Sequence, residues 1–224
     1  MSGTNGRSEH GGRAALSRER VLAAAVAIAD ASGLAAVTMR SLAQAVDVKP
    51  MSLYHYVANK EEILDGIVDV VFAEIDLPVV GGEWRAEIRR RAVSAREVLA
   101  RHPWALALME TRTSPGPATL RHHDAMLGTL RAAGFSLAQT AHAYAVIDAF
   151  VYGFALQEAS LPFDGPDEAA DVAGSMMAGF PVDAYPHLVE FAVQHVLQPG
   201  YAFADSFAFG LDLVLDGLAA LVHA

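Results

Sequence analysis

No cysteine occurs in the 224 residues, which excludes disulfide staples, thiolate metal sites and a cysteine nucleophile. Charged side chains are sparse, at 19%. No apolar run reaches the roughly 18 residues that a membrane-spanning helix needs. The opening stretch MSGTNGRSEHGGRAA lacks the apolar core of a secretory leader. The expectation is a soluble, cytoplasmic protein with no membrane partner. Also missing are the G-x-S-x-G nucleophile elbow, the P-loop and the dinucleotide fingerprint G-x-G-x-x-G. Adjacent His122 and His123 point in different directions on a helix. His142, His187 and His195 have no partner at metal-ligand spacing. No metal, no cofactor and no catalytic residue is therefore expected, and the chain is read as a non-enzyme.

What is present favours helix. Hydrophobic residues make up 53% of the chain, with Ala, Leu and Val prominent. The net charge of −10 argues against nucleic-acid binding until it is divided. Residues 1–60 carry +3 and the remainder −13, a basic head on an acidic body. Residues 1–15 are polar and Gly-rich and are expected to form a disordered tail. Ser17 then caps a first helix ended by Gly33 in a left-handed conformation. Thr38 opens a short helix to about Val46, and Pro50 another to about Val57. Asn59 and Glu62 open a fourth, to about Ile75. After the joint LPVVGGEW, helices are expected over Trp84–Arg101, Trp104–Glu110, Ala118–Ala133 and, from a Ser136/Gln139 capping box, to Ser160. Residues 161–183 hold at most one weak helix. Two more close the chain, over Tyr185–Leu197 and Phe203–His223. No segment alternates as a strand does.

The stretch TMRSLAQAVDVKPMSLYHYVANK (residues 38–60) carries the function. Leu42, Val46, Val48, Leu53 and Tyr56 fall where two short crossing helices bury apolar groups. Ala43 falls at their closest approach, and Asp47 where the turn needs a left-handed backbone. The second helix of such a helix-turn-helix enters the major groove, and here it presents Lys49, Met51, Ser52, Tyr54 and His55. Arg40 reaches a base or phosphate. Thr38 and Tyr54 offer hydroxyls. Lys60 joins the free N–H groups of the next helix on a phosphate.

Residues 17–64, with LSRERVLAAAVAIADASG, VTMRSLAQAV, LYHYV and NKEEIL, resemble the DNA-binding domain of the tetracycline-repressor (TetR) family. The resemblance implies that Arg40, Lys49, Met51, Ser52, Tyr54, His55 and Lys60 occupy operator-contacting positions. Asp47 departs from the family's usual Gly. More weakly, ETRT, AAGFS and FAFGLDLVLDGL are similar to the ligand-binding domain of the tetracycline repressor's own branch. There a pocket His coordinates the drug's magnesium. The corresponding place here is Leu108 or Met109, which cannot hold it.

The expected architecture is all-α: a three-helix DNA-binding domain (16–62) and a helical effector-binding and dimerisation domain (63–224). Helices 137–159 and 203–223 are apolar round most of their circumference, as in a homodimer interface. An apolar effector pocket is expected from Trp104, Leu108, Met109, Met126, Phe150 and Phe154, with Arg91, Thr111, His122 and Gln157 as polar handles. Whether it is open or filled core stays undecided at this point. The function expected is a ligand-responsive repressor released from palindromic double-stranded operator DNA by a small apolar molecule, although sequence does not separate repression from activation.

Overall fold

Ser17 caps α1 (Arg18–Ser32) by accepting the Arg20 backbone N–H at 3.3 Å. The computed structural model describes residues 15–222 apart from 164, 178, 180, 182 and 183; residues 1–14 of the expected tail and His223 of the expected last helix lie outside the described residues. Gly33 has the positive φ expected of it, 76°, but its ψ of 168° lies outside the left-handed helical basin. That region is open essentially to Gly alone. Its N–H closes on the Ala29 carbonyl at 2.8 Å, and the 3₁₀ turn Leu34–Ala36 follows.

Two short helices come next, α2 (Met39–Ala45) and α3 (Pro50–Leu53). Neither holds itself together, because nucleating a helix this short is unfavourable. Thr38 and Ser41 form a reciprocal capping box, each side chain accepting the other's backbone N–H, at 3.0 and 3.1 Å. Asp47 takes the turn with φ 55°. The Arg20 guanidinium donates to the Val46 carbonyl at 3.3 Å and ties α1 to the end of α2. Leu42, Ala43, Val46 and Leu53 are buried as expected.

Helix α3 is shorter than its expected span to Val57. The N–H groups of Tyr56 and Val57 both return to the Leu53 carbonyl, at 2.9 and 3.0 Å, which closes a turn. The register changes with it. Val57 occupies the core, while Tyr56, expected there, is 36% exposed. Val48 is half-buried.

Asn59 Oδ1 accepts the Glu62 N–H at 2.9 Å, and Glu62 accepts the Ala58 N–H at 2.7 Å, at the start of α4 (Lys60–Glu74). At Gly66 an added Cβ would lie 2.6 Å from the Leu22 side chain, so α1 and α4 approach closely there and a larger residue requires Leu22 to move. The division between the chain's two compact units falls between Ile67 and Val68, inside α4.

The second unit continues with α5 (Trp84–Arg101), capped by the Glu83 carboxylate on the Arg85 and Ala86 N–H groups. A 3₁₀ turn, Pro103–Ala105, leads into α6 (Leu106–Met109), followed by α7 (Pro117–Ala132). Helix α8 (Leu137–Ala159) opens on the Ser136/Gln139 box that its sequence predicts. The weak stretch after it holds α9 (Pro166–Met177). Helix α10 (Pro186–Phe191) loosens into a π-helical turn, Ala192–Val196, and α11 (Asp205–Val222) ends the described chain. Helix α8 is central, packing on α5, α7 and α11. No strand occurs among the described residues.

Two substitutions test the backbone. Gly33→Ala meets no neighbour within 4 Å, yet is expected to cost about 1–3 kcal/mol through strain alone. Asp47→Gly relieves a left-handed Asp and is expected to leave stability unchanged or raised. Urea unfolding of each variant measures both.

Candidate nucleic-acid interface and ligand cavity

Seven of the eight residues expected at DNA lie on α2, α3 and their flanks, and Lys60 opens α4. Thr38, Arg40, Lys49, Met51, Tyr54, His55 and Lys60 are exposed, and Ser52 is half-buried. Met51, at the second position of α3, is 74% exposed. The Thr38 hydroxyl is engaged by the Ser41 N–H and hydroxyl, which leaves it one hydrogen-bonding site. Lys60 is the first residue of α4, at the end where a helix's first N–H groups lack intrahelical partners, and Asn59 takes that of Glu62. Glu62 beside it is occupied by Arg18, at 3.4 Å, and by the Ala58 N–H. Tyr56 was missed by sequence reasoning as a surface residue. Its exposure adds a hydroxyl beside Tyr54 and His55, and only the end of α3 reveals it.

In the second unit a cavity of about 720 Å³ opens along one face of α8. Tyr144, Asp148 and Tyr152 form one edge of that face, and Ala145, Ala149 and Gly153 run beside them. Leu156 closes one end, and Pro103, Leu106, Ala107 and Glu110 form the opposite wall.

Behind the cavity stands Arg91 of α5, fully buried. Its Nη1 lies 2.8 Å from Asp148 Oδ1. Its Nε donates to His122 Nε2 at 2.9 Å, and its Nη2 to the Tyr152 hydroxyl at 3.2 Å. Burial works against the guanidinium's charge, but Asp148 and the two phenols outweigh it, and its pKa rises. Burial, then the neighbouring Arg91 charge, pushes His122 down from 6.5 to about 3. Its Nε2 accepts, so the neutral ring carries its proton on Nδ1. Burial, reinforced by Asp148, raises both Tyr144 and Tyr152, which stay protonated. Burial also lowers His123, whose Nδ1 is hydrogen-bonded to the Tyr144 hydroxyl.

None of the ten residues expected to line a pocket lines this one. Arg91 and His122 come together behind its floor. Met126 is fully buried core, and Trp104 is buried against His102. Phe150 and Phe154 join Phe203 and Phe207 in a stacked cluster, with Arg96 over Phe154 and Phe207. Leu108 and Met109 are half-buried, and Thr111 and Gln157 are exposed. The physical reason is volume. Large aromatics fill space by packing on one another, whereas this cavity exists where α8 carries Ala and Gly. Among the described residues no group of three His, Asp or Glu is placed to hold a metal, and no helix is long and apolar enough to cross a membrane.

A helix-turn-helix with outward basic, hydroxyl and apolar side chains defines a DNA-binding regulator, and the second unit adds an open-sided cavity. The chain belongs to the tetR family of bacterial regulatory proteins: residues 21–67 match the model of that family, and residues 77–222 match the tetracyclin repressor-like C-terminal domain. The family is one of transcriptional regulators. The chain is similar to the HTH-type transcriptional repressor DrrR1 of Streptomyces coeruleorubidus, 31% identical over 98% of this chain and 83% of that protein. An HTH-type transcriptional regulator of Saccharopolyspora erythraea is 37% identical over 62% of this chain, a match that spans 59% of that relative's own length. ActR of Streptomyces coelicolor, solved in complex with actinorhodin, superposes with a TM-score of 0.76 at 27% identity, covering 92% of this chain and 97% of ActR.

The buried network makes two predictions. Asp148→Asn strands the Arg91 charge and is expected to cost about 3–5 kcal/mol, while Arg91→Met combined with Asp148→Leu costs less; chemical denaturation ranks the two. His122 is depressed in the folded state, so between pH 6.5 and about 3 the unfolded chain holds the proton that the folded chain refuses. Stability therefore falls as pH drops through that window, and His122→Gln flattens the fall, read from unfolding midpoints across pH.

Proposed function

We propose that two copies of the chain read the half-sites of a palindromic operator, repress the adjoining genes, and release the DNA when a small molecule fills the cavity along α8. The observation that carries the reading is Met51. A large apolar side chain left 74% exposed on a four-residue helix serves no packing purpose. A base edge in the major groove, above all a thymine methyl, gives it a partner. Lys49, Ser52, Tyr54 and His55 supply hydrogen bonds around it. Arg40 reaches a base or phosphate from α2. Thr38, Tyr56 and Lys60 hold backbone phosphates and set the register.

Dimerisation uses the uncovered face of α11 and the uncovered part of α8 outside the cavity lining. Phe209 and Leu213 on α11 are 68% and 59% exposed, and Val146 of α8 is exposed as well. Of the small residues on these helices, Gly210 lies against Phe150 within the unit, whereas Gly217 has open space beside it. A two-fold contact between these faces fits a symmetric operator.

The effector reading is supported by the cavity and by ActR, whose structure holds actinorhodin. Helix α4 contributes residues to both units. A ligand that favours one position of that helix shifts the population between DNA-competent and DNA-incompetent forms. The repressing sign follows DrrR1, named a repressor. We assign no catalysis: Arg91 is ion-paired with Asp148 and donates to His122 and Tyr152, and no activated nucleophile stands among the described residues. The place of action is the cytoplasm, where bacterial DNA lies.

Binding is tested on palindromic duplexes selected from a random pool. Lys60→Ala is expected to weaken all sequences alike and to reduce the slope of log affinity against log salt by about 1. Met51→Ala is expected to cost about 1–3 kcal/mol and to relax preference at one base position. Leu213→Glu is expected to give a sedimenting monomer that loses the palindrome. Operator retained at a saturating cavity ligand defeats the release mechanism.

A further inference from the structure

The cavity has a charge as well as a shape. Two carboxylates line it, Glu110 and Asp148, and no Lys, Arg or His does. They are not equivalent. Asp148 is neutralised by the buried Arg91 at 2.8 Å. Glu110 is exposed and forms no ion pair among the described residues. The lining therefore carries one uncompensated negative charge at its solvent-exposed edge, beside largely apolar walls, where it attracts a cation at short range. Tyr144 and Tyr152 add neutral aromatic side chains to the lining, the Tyr152 ring already lying beneath the Arg91 guanidinium.

The shape is equally restrictive. Ala145, Ala149 and Gly153 stand four residues apart on α8, a strip about 12 Å long with nothing beyond a Cβ along it. A Cβ built at Gly153 meets no atom within 4 Å, so the space there is open. A smooth helix face of this length suits a rigid ring system better than a branched or flexible chain, which loses rotamer entropy on binding.

We infer that the effector class this cavity selects is a flat fused-ring cation, its rings lying along Ala145, Ala149 and Gly153 and its positive charge held by Glu110. This rests on the ligand-released reading above and goes beyond its small, largely apolar effector by assigning charge, shape and the residue that recognises the charge.

Rhodamine 6G and fluorescein test it, since they share a xanthene ring system and differ in charge, the first a cation and the second an anion at neutral pH. Fluorescence anisotropy titrations use the full-length protein without DNA. Rhodamine 6G is expected to bind at least about ten-fold more tightly than fluorescein, and Glu110→Gln to erase most of that preference without weakening fluorescein. Gly153→Leu fills the open space and is expected to block rhodamine 6G, while Gly153→Ala, a favourable helix substitution, controls for folding. Equal or reversed preference, an unchanged rhodamine affinity in Glu110→Gln, or failure of rhodamine 6G to bind overturns the inference.

The two readings fail separately. If fluorescein binds as well as rhodamine 6G and Gly153→Leu blocks both, the cavity remains the effector site and only the charge assignment falls. If Gly153→Leu binds both dyes like wild type, the cavity is not the site and both fall. If rhodamine 6G binds with the expected preference and the selected operator stays bound, the release mechanism falls and the charge assignment stands.

Discussion

A guanidinium buried away from water requires a counter-charge, and the second unit is organised around that requirement. Arg91 comes from α5, its carboxylate partner Asp148 and its phenol Tyr152 from α8, and its imidazole acceptor His122 from α7. One side chain thus joins three helices. It also sets the rotation of α8. Once Asp148 is turned toward Arg91, Tyr144 and Tyr152, one turn away on either side, share its face. Ala145, Ala149 and Gly153, each one residue further on, are rotated by about 100°. The same ion pair that holds the helices in register decides which residues border the cavity.

The DNA-reading unit depends on a different economy. Helix α3 is a single turn, with no stability of its own. Its position is imposed by the Thr38/Ser41 box, the left-handed Asp47, the Arg20 bond to Val46 and the buried Leu53. Rigidity there comes from the scaffold, which frees the outward side chains to be chosen for contact. The charge division of the chain follows the same logic. A basic head suits a polyanion, and an acidic body discourages the rest of the surface from competing for it.

Much of this was legible before any coordinates. Capping pairs such as Ser136/Gln139 act within one turn, so residue identity alone marks where α8 begins. The left-handed turn at Asp47 and the buried Leu42, Ala43 and Leu53 followed from spacing in the same way. The end of α3 did not. Its termination depends on two N–H groups converging on the Leu53 carbonyl, and the residues there do not announce it. Val57 is buried and Tyr56, expected in the core, is exposed as a result. The cavity lining was the least legible feature, because the residues that create empty space are small and carry no distinctive signal, while the conspicuous aromatics Phe150 and Phe154 found partners in Phe203 and Phe207, distant in sequence.

By itself the sequence determined the helical class, the helix starts, the helix-turn-helix with its outward residues, and the apolar faces of α8 and α11. All of these are set by neighbours within a few positions along the chain. Only the tertiary structure decided that Arg91 pairs with Asp148, that the expected aromatic pocket is a packed cluster, and that the open space lies along Ala145, Ala149 and Gly153. Those outcomes depend on how helices far apart in sequence are rotated against one another. Rotation is settled by long-range contacts, for which local pattern carries no information.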